Sequence, residues 1–470
     1  MLTELIDGLR EGDNRPALPG ATRGELAELV RGYAVALSGL APGDTVALAV
    51  RPGPRSLATL LAAYHLGLRV AVLDPTAGPD VLRARLALAA PKLVLADTAA
   101  QAVAGWAARL ARRAHLELPT LGAMAPVRTI GRRLPGSPPA LRPLPGRLPQ
   151  PYEGEGDAVI VFTSGTTSKP RAVVHTRRSL SAGMTAVRDL VRPVPGSPVV
   201  GGTFFVLLPS LASGAPVAFP SRRRLARQLR ELRPQATYLT PPQIRAALAA
   251  GTSFTGRVYS GSAPVSASLL SAVRRSGASE AWGVYALTEV FPAAAIEESE
   301  KSAHTGPGDP VGRLLPGVTA RVGSSGELLL AGPTAADRYL GEEPLDWVAT
   351  GDIGRVRDDG SVILGGRAKD MILRNAENVY PGLYEPSLHV PGVELALLVG
   401  VPAGDGDERV VAVVQTTAGT SEREVRSALR DPLARMGSAR PDKLIFAQIP
   451  LSGRSRKPDR QATATLAARR

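Results

Sequence analysis

From Val159 to His175 the chain reads Val159-Ile160-Val161-Phe162-Thr163-Ser164-Gly165-Thr166-Thr167-Ser168-Lys169-Pro170-Arg171-Ala172-Val173-Val174-His175. Two apolar, β-branched runs flank hydroxyl residues, one glycine and two cations. Such runs suit buried strands, so the polar stretch is a loop slung between two core segments. Gly165 lets the backbone approach a ligand closely. Thr163, Ser164, Thr166 and Thr167 bring hydroxyls and backbone N–H groups, and Lys169 and Arg171 bring positive charge. That donor set suits a polyphosphate. The GxxxxGK[ST] spacing of a Walker A loop is absent. The same composition also makes an ordinary Ser/Thr/Gly surface turn, and the loop by itself leaves both readings open.

Five further stretches carry residues with chemistry. Ser260-Gly261-Ser262-Ala263-Pro264 follows a short strand pattern, and its small side chains would let a flat ring lie against backbone; a packing turn accounts for it equally. Tyr285-Ala286-Leu287-Thr288-Glu289 follows another strand. Thr350-Gly351-Asp352 offers a carboxylate, a natural acceptor for two hydroxyls, or an Asx turn beside Gly351. Gly366-Arg367-Ala368-Lys369-Asp370 and Arg456-Lys457-Pro458-Asp459-Arg460 are basic, and each would also serve as a solvated surface turn.

In this order the stretches resemble the signature segments of the AMP-forming adenylating superfamily, which includes acyl- and aryl-CoA synthetases, peptide-synthetase adenylation domains and luciferases. Thr163 to Thr167, Pro170 and Val173 match its T-S-G-[ST]-T-G-x-P-K-G-V loop, with Ser168, Arg171 and Ala172 in place of glycine, lysine and glycine. Gly261, Ser262, Ala263 and Pro264 resemble its adenine wall. Tyr285 to Glu289 resembles Y-G-x-T-E. The resemblance implies that Tyr285 stacks on adenine, Thr288 binds the α-phosphate and Glu289 holds Mg²⁺, a hard cation that takes carboxylate oxygen. It implies further that Asp352 accepts the ribose hydroxyls, that Arg367 contacts the nucleotide, and that Lys369 is a hinge between domains. Asn378, Pro381 and Glu385 fit N-[IV]-x-P-x-x-I-E; Asn375-Ala376 precedes them where the family has a glycine. Lys457 would bridge the attacking carboxylate and the α-phosphate, an electrostatic aid to the pentavalent transition state.

Resemblance therefore implies an α/β fold: a large N-terminal domain of layered sheets and helices, residues 1–368, and a small mobile α+β domain, residues 369–470, carrying Lys457. The implied reaction joins ATP and a carboxylic acid as an acyl-adenylate with release of pyrophosphate. A thiol, CoA or the phosphopantetheine of an acyl carrier protein, then takes the acyl group. Three rivals stand beside it. Thr288-Glu289-Val290-Phe291-Pro292, Ala294 to Glu297 and Leu73-Asp74-Pro75 look similar to the β-lactone synthetases, where an internal hydroxyl of a 3-hydroxy acid replaces the thiol. A free-standing amino-acid adenylation domain needs an acidic pocket residue, and none stands out. A non-enzymatic nucleotide binder would not need Glu289, Asp352, Arg367 and Lys457 together. A serine hydrolase lacks support, because no G-x-S-x-G elbow occurs.

Positioning these residues requires a scaffold, and the sequence shows its rhythm. Val46 to Val50, Val70 to Leu73 and Lys92 to Ala96 read as buried strands. Helical stretches run from Thr22 to Val30, Ser56 to Leu66 and Pro79 to Ala90, the last with Pro79 in its first turn. Strands alternating with helices at this spacing imply parallel βαβ units. Ala102 to Ala114 reads as an amphipathic helix, and Leu134 to Pro151 as a surface connection. The rhythm resumes with a helix from Arg178 to Val191, an apolar strand and turn from Pro198 to Leu208, a strand from Ala215 to Phe219 and a basic helix from Arg222 to Arg230. Short strands follow at Thr237, Val258 and Trp282. Hairpins begin near Gly306, and beyond Lys369 strands at Leu395 to Val399 and Val410 to Gln415 precede a helix at Glu422. The acid pocket is expected between Phe204-Phe205, the strand end from Tyr259 to Ala263, and Tyr285.

Composition narrows the class. The 470 residues are 44% hydrophobic, ample for a core. No apolar run reaches the length of a membrane span. Met1 to Asp7 lacks a signal pattern, so a cytoplasmic protein is expected. There are no cysteines, which excludes disulfides and thiolate metal sites. The net charge of +14 would suit nucleic acid, but aromatics are 4% and the arginines are spread along the chain, so no nucleic-acid partner is expected. Lysine is scarce, at positions 92, 169, 301, 369, 443 and 457, which draws attention to Lys169, Lys369 and Lys457.

Overall fold

Strand–helix alternation in the first hundred residues folds as its spacing predicts. Thr45–Ala49, Arg69–Val72 and Leu93–Asp97 are strands, with helices Pro54–His65 and Pro79–Ala89 between them. Every residue of Thr45–Ala49 is buried, as in a strand covered on both faces. Helix Arg23–Leu37 opens with a capping box in which Thr22 and Glu25 satisfy each other's backbone N–H groups. The computed structural model describes residues 1–74, 79–104, 121, 125–131, 134–163, 171–221, 223–374, 377–404, 407–452 and 456–470.

Two large mixed sheets carry the candidate residues. One has seven strands, in the order 338–339, 172–176, 157–162, 69–72, 45–49, 93–97 and 127–130. Asp157–Phe162 runs parallel to Arg69–Val72 and antiparallel to Ala172–Thr176. The two apolar runs around the polar loop are thus hydrogen-bonded neighbours. Arg338–Tyr339 closes this edge, with Tyr339 opposite Val173.

The other sheet has eleven strands, in the order 217–218, 199–201, 236–239, 257–260, 280–285, 294–297, 309–314, 361–367, 348–356, 327–331 and 319–322. Its first five are parallel and the rest antiparallel. Leu239 pairs with Ser260 and Ser260 with Gly283, so these strands end at a common edge. Ligands of open α/β sheets bind at that carboxyl edge. Here Gly261 and Tyr285 emerge there.

Past residue 369, strands Val393–Gly404, Asp407–Thr416 and Lys443–Phe446 form a three-stranded sheet. Alternate residues feed two cores. Ala396, Leu398, Ala412 and Val414 pack with Val425 and Leu429, while Leu397, Val399, Val411 and Val413 pack with Ile445 and Ala467. Helix Glu422–Ala428 starts with its own capping box at Ser421. Among the described residues no helix is long and apolar enough to cross a membrane.

One expected segment differs. The run from Pro198 to Leu208 is strand only at Val199–Gly201; Thr203 then caps a helix, Phe204–Ala212. A short apolar run carries no period that separates buried strand from buried helix. The basic helix lies slightly later than expected, at Leu225–Leu232. The helix expected from Ala102 to Ala114 is described only as Thr98–Ala104; residues 105–114 lie outside the described residues.

Candidate active site

Thr163 and Arg171 close the base of the polar loop: the Thr163 backbone N–H donates to the Arg171 carbonyl at 3.1 Å. Ser164, Gly165, Thr166, Thr167 and Lys169 lie outside the described residues. The Arg171 guanidinium stacks 3.4 Å from the centre of the Tyr339 ring and lies 3.4 Å from Glu342.

The Ser260-Gly261-Ser262-Ala263-Pro264 turn leaves the carboxyl edge of the second sheet. A Cβ on Gly261 would fall 2.8 Å from the Val284 carbonyl oxygen and 3.0 Å from the Tyr238 hydroxyl, so only glycine fits without movement. Ser262 adopts a left-handed backbone, φ +67°, and its hydroxyl lies 3.1 Å from that of Tyr238. Ser262 and Pro264 are exposed and Ala263 half-buried, so the turn presents a small-residue surface beside Val284 and hence beside Tyr285.

Tyr285, Asp352 and Arg367 meet directly. The Tyr285 hydroxyl donates to Asp352 Oδ2 at 2.6 Å, and Arg367 Nε pairs with Oδ1 at 2.7 Å. Asp352 is held by its backbone N–H on the Thr350 hydroxyl at 3.0 Å, and that hydroxyl donates to Leu328 O at 2.7 Å. Gly351 takes φ +69°, a conformation natural to glycine. Burial raises the Asp352 carboxyl above its ordinary value; Arg367 and Tyr285 pull the other way. Burial and then Asp352 push the Tyr285 phenol up, so it stays a donor.

Glu289 is held by the backbone and by one phenol. The Ala336 N–H donates to the Glu289 carbonyl at 2.7 Å, and the Tyr339 hydroxyl donates to Oε1 at 3.0 Å. The Thr288 carbonyl accepts from buried His175 Nε2 at 2.8 Å. Burial lowers the His175 imidazole, consistent with a neutral ring giving its one N–H to that carbonyl. Among the described residues no group of three acidic or histidine side chains could cage a metal alone. Mg²⁺ needs no such cage, since it takes one or two carboxylates plus substrate phosphates. The half-buried carboxylate of Glu289, with Thr288 next to it in the chain, fits that donor set.

Lys457 reaches the same neighbourhood. It lies in a short hairpin, paired with Ser452. Its side chain keeps contact with solvent, yet surrounding protein desolvates the ammonium, and Arg367 and then Lys369 repel it. Together these lower its pKa, against the pull of Asp352. Lys369 is exposed on the turn Ala368–Asp370, which leads from strand Ser361–Arg367 to strand Ile372–Arg374. Arg460 ties the C-terminal motif to Asp370 at 3.2 Å and to Glu385 at 2.7 Å.

The structure thus brings Tyr285, Asp352 and Arg367 into contact, with Lys457 within electrostatic reach of Arg367, Asp352 and Lys369, Gly261–Pro264 on one flank and Thr288–Glu289 following Tyr285 in the chain. Tyr339, Tyr238 and His175 join them without having been assigned roles from sequence. Tyr339 is recognisable only once its strand is paired, because Glu289 is distant in sequence. Phe204 and Phe205, expected near the acid pocket, each pair with another ring: Phe205 with Phe291 at 4.9 Å and Phe204 with Phe219 at 5.7 Å. Tyr259, expected near the acid pocket, turns into the core: its hydroxyl donates to Leu190 O at 3.0 Å and its ring stacks on Trp282. A groove of about 1230 Å³, lined by Tyr64, Tyr152, Arg178, Asp189, Trp282 and Arg313 among others, shares no residue with this site. It mixes charges of both signs.

Comparison with known proteins places the chain among relatives. The AMP-binding enzyme family model matches residues 10–340. The chain is 28% identical over 438 residues to sulfoacetate–CoA ligase of Cupriavidus necator, covering 84% of this chain and 82% of that one. It is 30% identical over 339 residues to fatty acid–[acyl-carrier-protein] ligase ScoC of Streptomyces coeruleorubidus, covering 61% of this chain and 63% of that one. In fold it matches the amide bond synthetase McbA of Marinactinospora thermotolerans with a TM-score of 0.78 and 24% identity, over 99% of both chains.

Proposed function

The chain belongs to the AMP-binding enzyme family, and from that premise we propose that it uses ATP to activate a carboxylic acid as an acyl-adenylate and passes the acyl group to a thiol. Relatives named as CoA and acyl-carrier-protein ligases support this reading. The observation that carries it is the convergence of Lys457 with Asp352, Arg367 and Tyr285. Four separate stretches of sequence meet around the Asp352–Arg367 pair.

In this reading, the acid's carboxylate oxygen bonds to the α-phosphorus and the α–β bridge breaks, releasing pyrophosphate. Such a transfer calls for positioning and charge neutralisation. Asp352 holds the ribose hydroxyls, Tyr285 and the Gly261–Pro264 turn hold adenine, and Thr288 binds the α-phosphate. Glu289 would hold Mg²⁺, which supplies charge neutralisation on the phosphates when bound. The Lys457 ammonium neutralises charge between the two reactants. The polar loop, Thr163 to Lys169, receives the β- and γ-phosphates. A thiol of CoA or of carrier-protein pantetheine then attacks the acyl carbon, AMP leaves, and the thiol proton is released.

Residues 369–470 form the mobile domain in this proposal, turning about Lys369 between the two half-reactions. In this proposal the acid pocket expected beside Phe204 and Phe205 takes an alkyl or aryl acid. A panel of carboxylic acids scored by pyrophosphate release, with and without CoA, tests the proposal. ATP- and acid-dependent pyrophosphate release that accelerates with CoA or a pantetheinylated carrier supports it. Turnover with a 3-hydroxy acid that is indifferent to any thiol would assign the chain to lactone formation instead. ATP binding without pyrophosphate release from any acid would overturn the enzymatic reading.

A further inference from the structure

Tyr339 touches two parts of the proposed site. Its strand, Arg338–Tyr339, lies along Ala172–Thr176, and Asp337 N and Leu340 N bond to the carbonyls of Val174 and Ala172 at 2.9 and 2.8 Å. Those bonds fix the ring, which is 8% exposed. Its hydroxyl donates to Glu289 Oε1 at 3.0 Å, and the Arg171 guanidinium covers its face at 3.4 Å. Arg171 is the residue on which the polar loop closes, through the Thr163 N–H. From three residues before Tyr339, Ala336 N also holds the Glu289 carbonyl. One segment therefore grips Glu289 by backbone and by side chain.

A carboxylate with one oxygen committed to a fixed phenol has its plane set, and its other oxygen has a defined direction. Groups that orient a metal ligand in this way change metal affinity by roughly 10–100-fold when removed. A cation stacked on an aromatic face holds the ring by electrostatic attraction, so Arg171 restrains the phenol from its open side.

We infer that Tyr339 is the positioning residue that orients the Glu289 carboxylate toward the metal–nucleotide complex, and that Arg171, stacked on its ring, links this orientation to the base of the polar loop. This rests on the reading of Glu289 as the Mg²⁺ ligand given above.

The test is direct binding of Mn²⁺, a paramagnetic substitute for Mg²⁺, to the full chain with an α,β-methylene ATP analogue, followed by electron paramagnetic resonance. Tyr339→Phe removes one oxygen and keeps the ring. It is expected to weaken Mn²⁺ by about 10-fold, to raise the Mg²⁺ needed for half-maximal ATP–pyrophosphate exchange by a similar factor, and to leave the rate at saturating Mg²⁺ nearly unchanged. Arg171→Gln is expected to weaken Mn²⁺ by a smaller factor and to add little on top of Tyr339→Phe. If Tyr339→Phe binds Mn²⁺ as tightly as the parent while Glu289→Gln does not, Tyr339 only packs and the inference is overturned. If Glu289→Gln itself leaves Mn²⁺ affinity unchanged, the metal-ligand reading beneath it fails. Should Tyr339→Phe not fold, Arg171→Gln decides: unchanged Mn²⁺ affinity rejects the link.

Discussion

Tyr285 and Asp352 lie 67 residues apart in the chain and share a hydrogen bond of 2.6 Å. Through it, the residue proposed to stack on adenine also sets the residue proposed to hold the ribose. Asp352 carries Arg367 on its other oxygen, but a carboxylate has about four lone-pair sites and can still accept ribose hydroxyls. It must be ionised to accept them all, and burial raises its pKa above the ordinary 3.8. Acidification converts it to the neutral acid, so ATP affinity should fall as pH drops, with a midpoint above that value. The Tyr285 bond opposes the rise, so Tyr285→Phe should move the acid limb to still higher pH. Asp352→Asn should weaken ATP by roughly 10–100-fold, the range for hydrogen bonds to a charged group, and remove the limb. Nucleotide titrations between pH 4 and 8 read both; an acid limb that persists in Asp352→Asn would count against the assignment.

Lys457 gives the opposite slope. Its ammonium is the active form in the proposed adenylation, and desolvation with Arg367 and Lys369 lowers its pKa from the ordinary 10.5. Raising the pH removes the proton, so ATP–pyrophosphate exchange should decline on the alkaline side with a midpoint below 10.5. Lys457→Ala should cost on the order of 10²–10³ in rate, as for loss of a charge-stabilising donor. Lys457→Arg keeps a cation that does not titrate, so whatever activity it retains should lack the alkaline limb. The same limb in Lys457→Arg would mean that another group titrates.

Gly261 separates packing from chemistry. Its absent Cβ would meet the Val284 carbonyl at 2.8 Å and the Tyr238 hydroxyl at 3.0 Å, and the carbonyl belongs to a sheet strand that cannot yield cheaply. Gly261→Ala should therefore destabilise the fold by about 1–3 kcal/mol, as overpacking does, and weaken nucleotide binding as the turn shifts. Gly39, with nothing within 4 Å of its Cβ position, is the matched control. Thermal unfolding of the two variants should separate clearly; equal midpoints would show that the turn has room.

What could be read from sequence follows from range. Thr45–Ala49 and Leu93–Asp97 were legible because a strand buried on both faces is a continuous apolar run. Asp352 and Lys457 were singled out because their neighbours in the chain carry a signature, and the structure sets Asp352 against Tyr285 and Arg367. Helix Phe204–Ala212 was not, since an apolar stretch of nine residues has no polar face to mark a period. The inward turn of Tyr259 depends on Leu190 and Trp282, and the role of Tyr339 on Glu289 and Arg171. Those partners are supplied by other strands and helices, so no local pattern announces them.

Arg456, immediately before Lys457, has a left-handed backbone with φ +48°, the region that favours glycine. A residue with a Cβ pays roughly 1–2 kcal/mol there, because the Cβ approaches the following carbonyl oxygen. Glycine removes that repulsion but loosens the unfolded chain by about 0.4–1 kcal/mol. The difference favours glycine, so Arg456→Gly should raise stability by roughly 0.5–1 kcal/mol. Arg456→Ala retains a Cβ and should gain nothing, which separates the backbone effect from loss of the arginine side chain. The turn leads straight into Lys457, so the glycine variant must also keep its exchange activity if the native turn already holds the geometry that the lysine needs. Urea unfolding midpoints and exchange rates for the two variants check both points. A glycine variant no more stable than the alanine one would mean that the left-handed turn at Arg456 carries no strain.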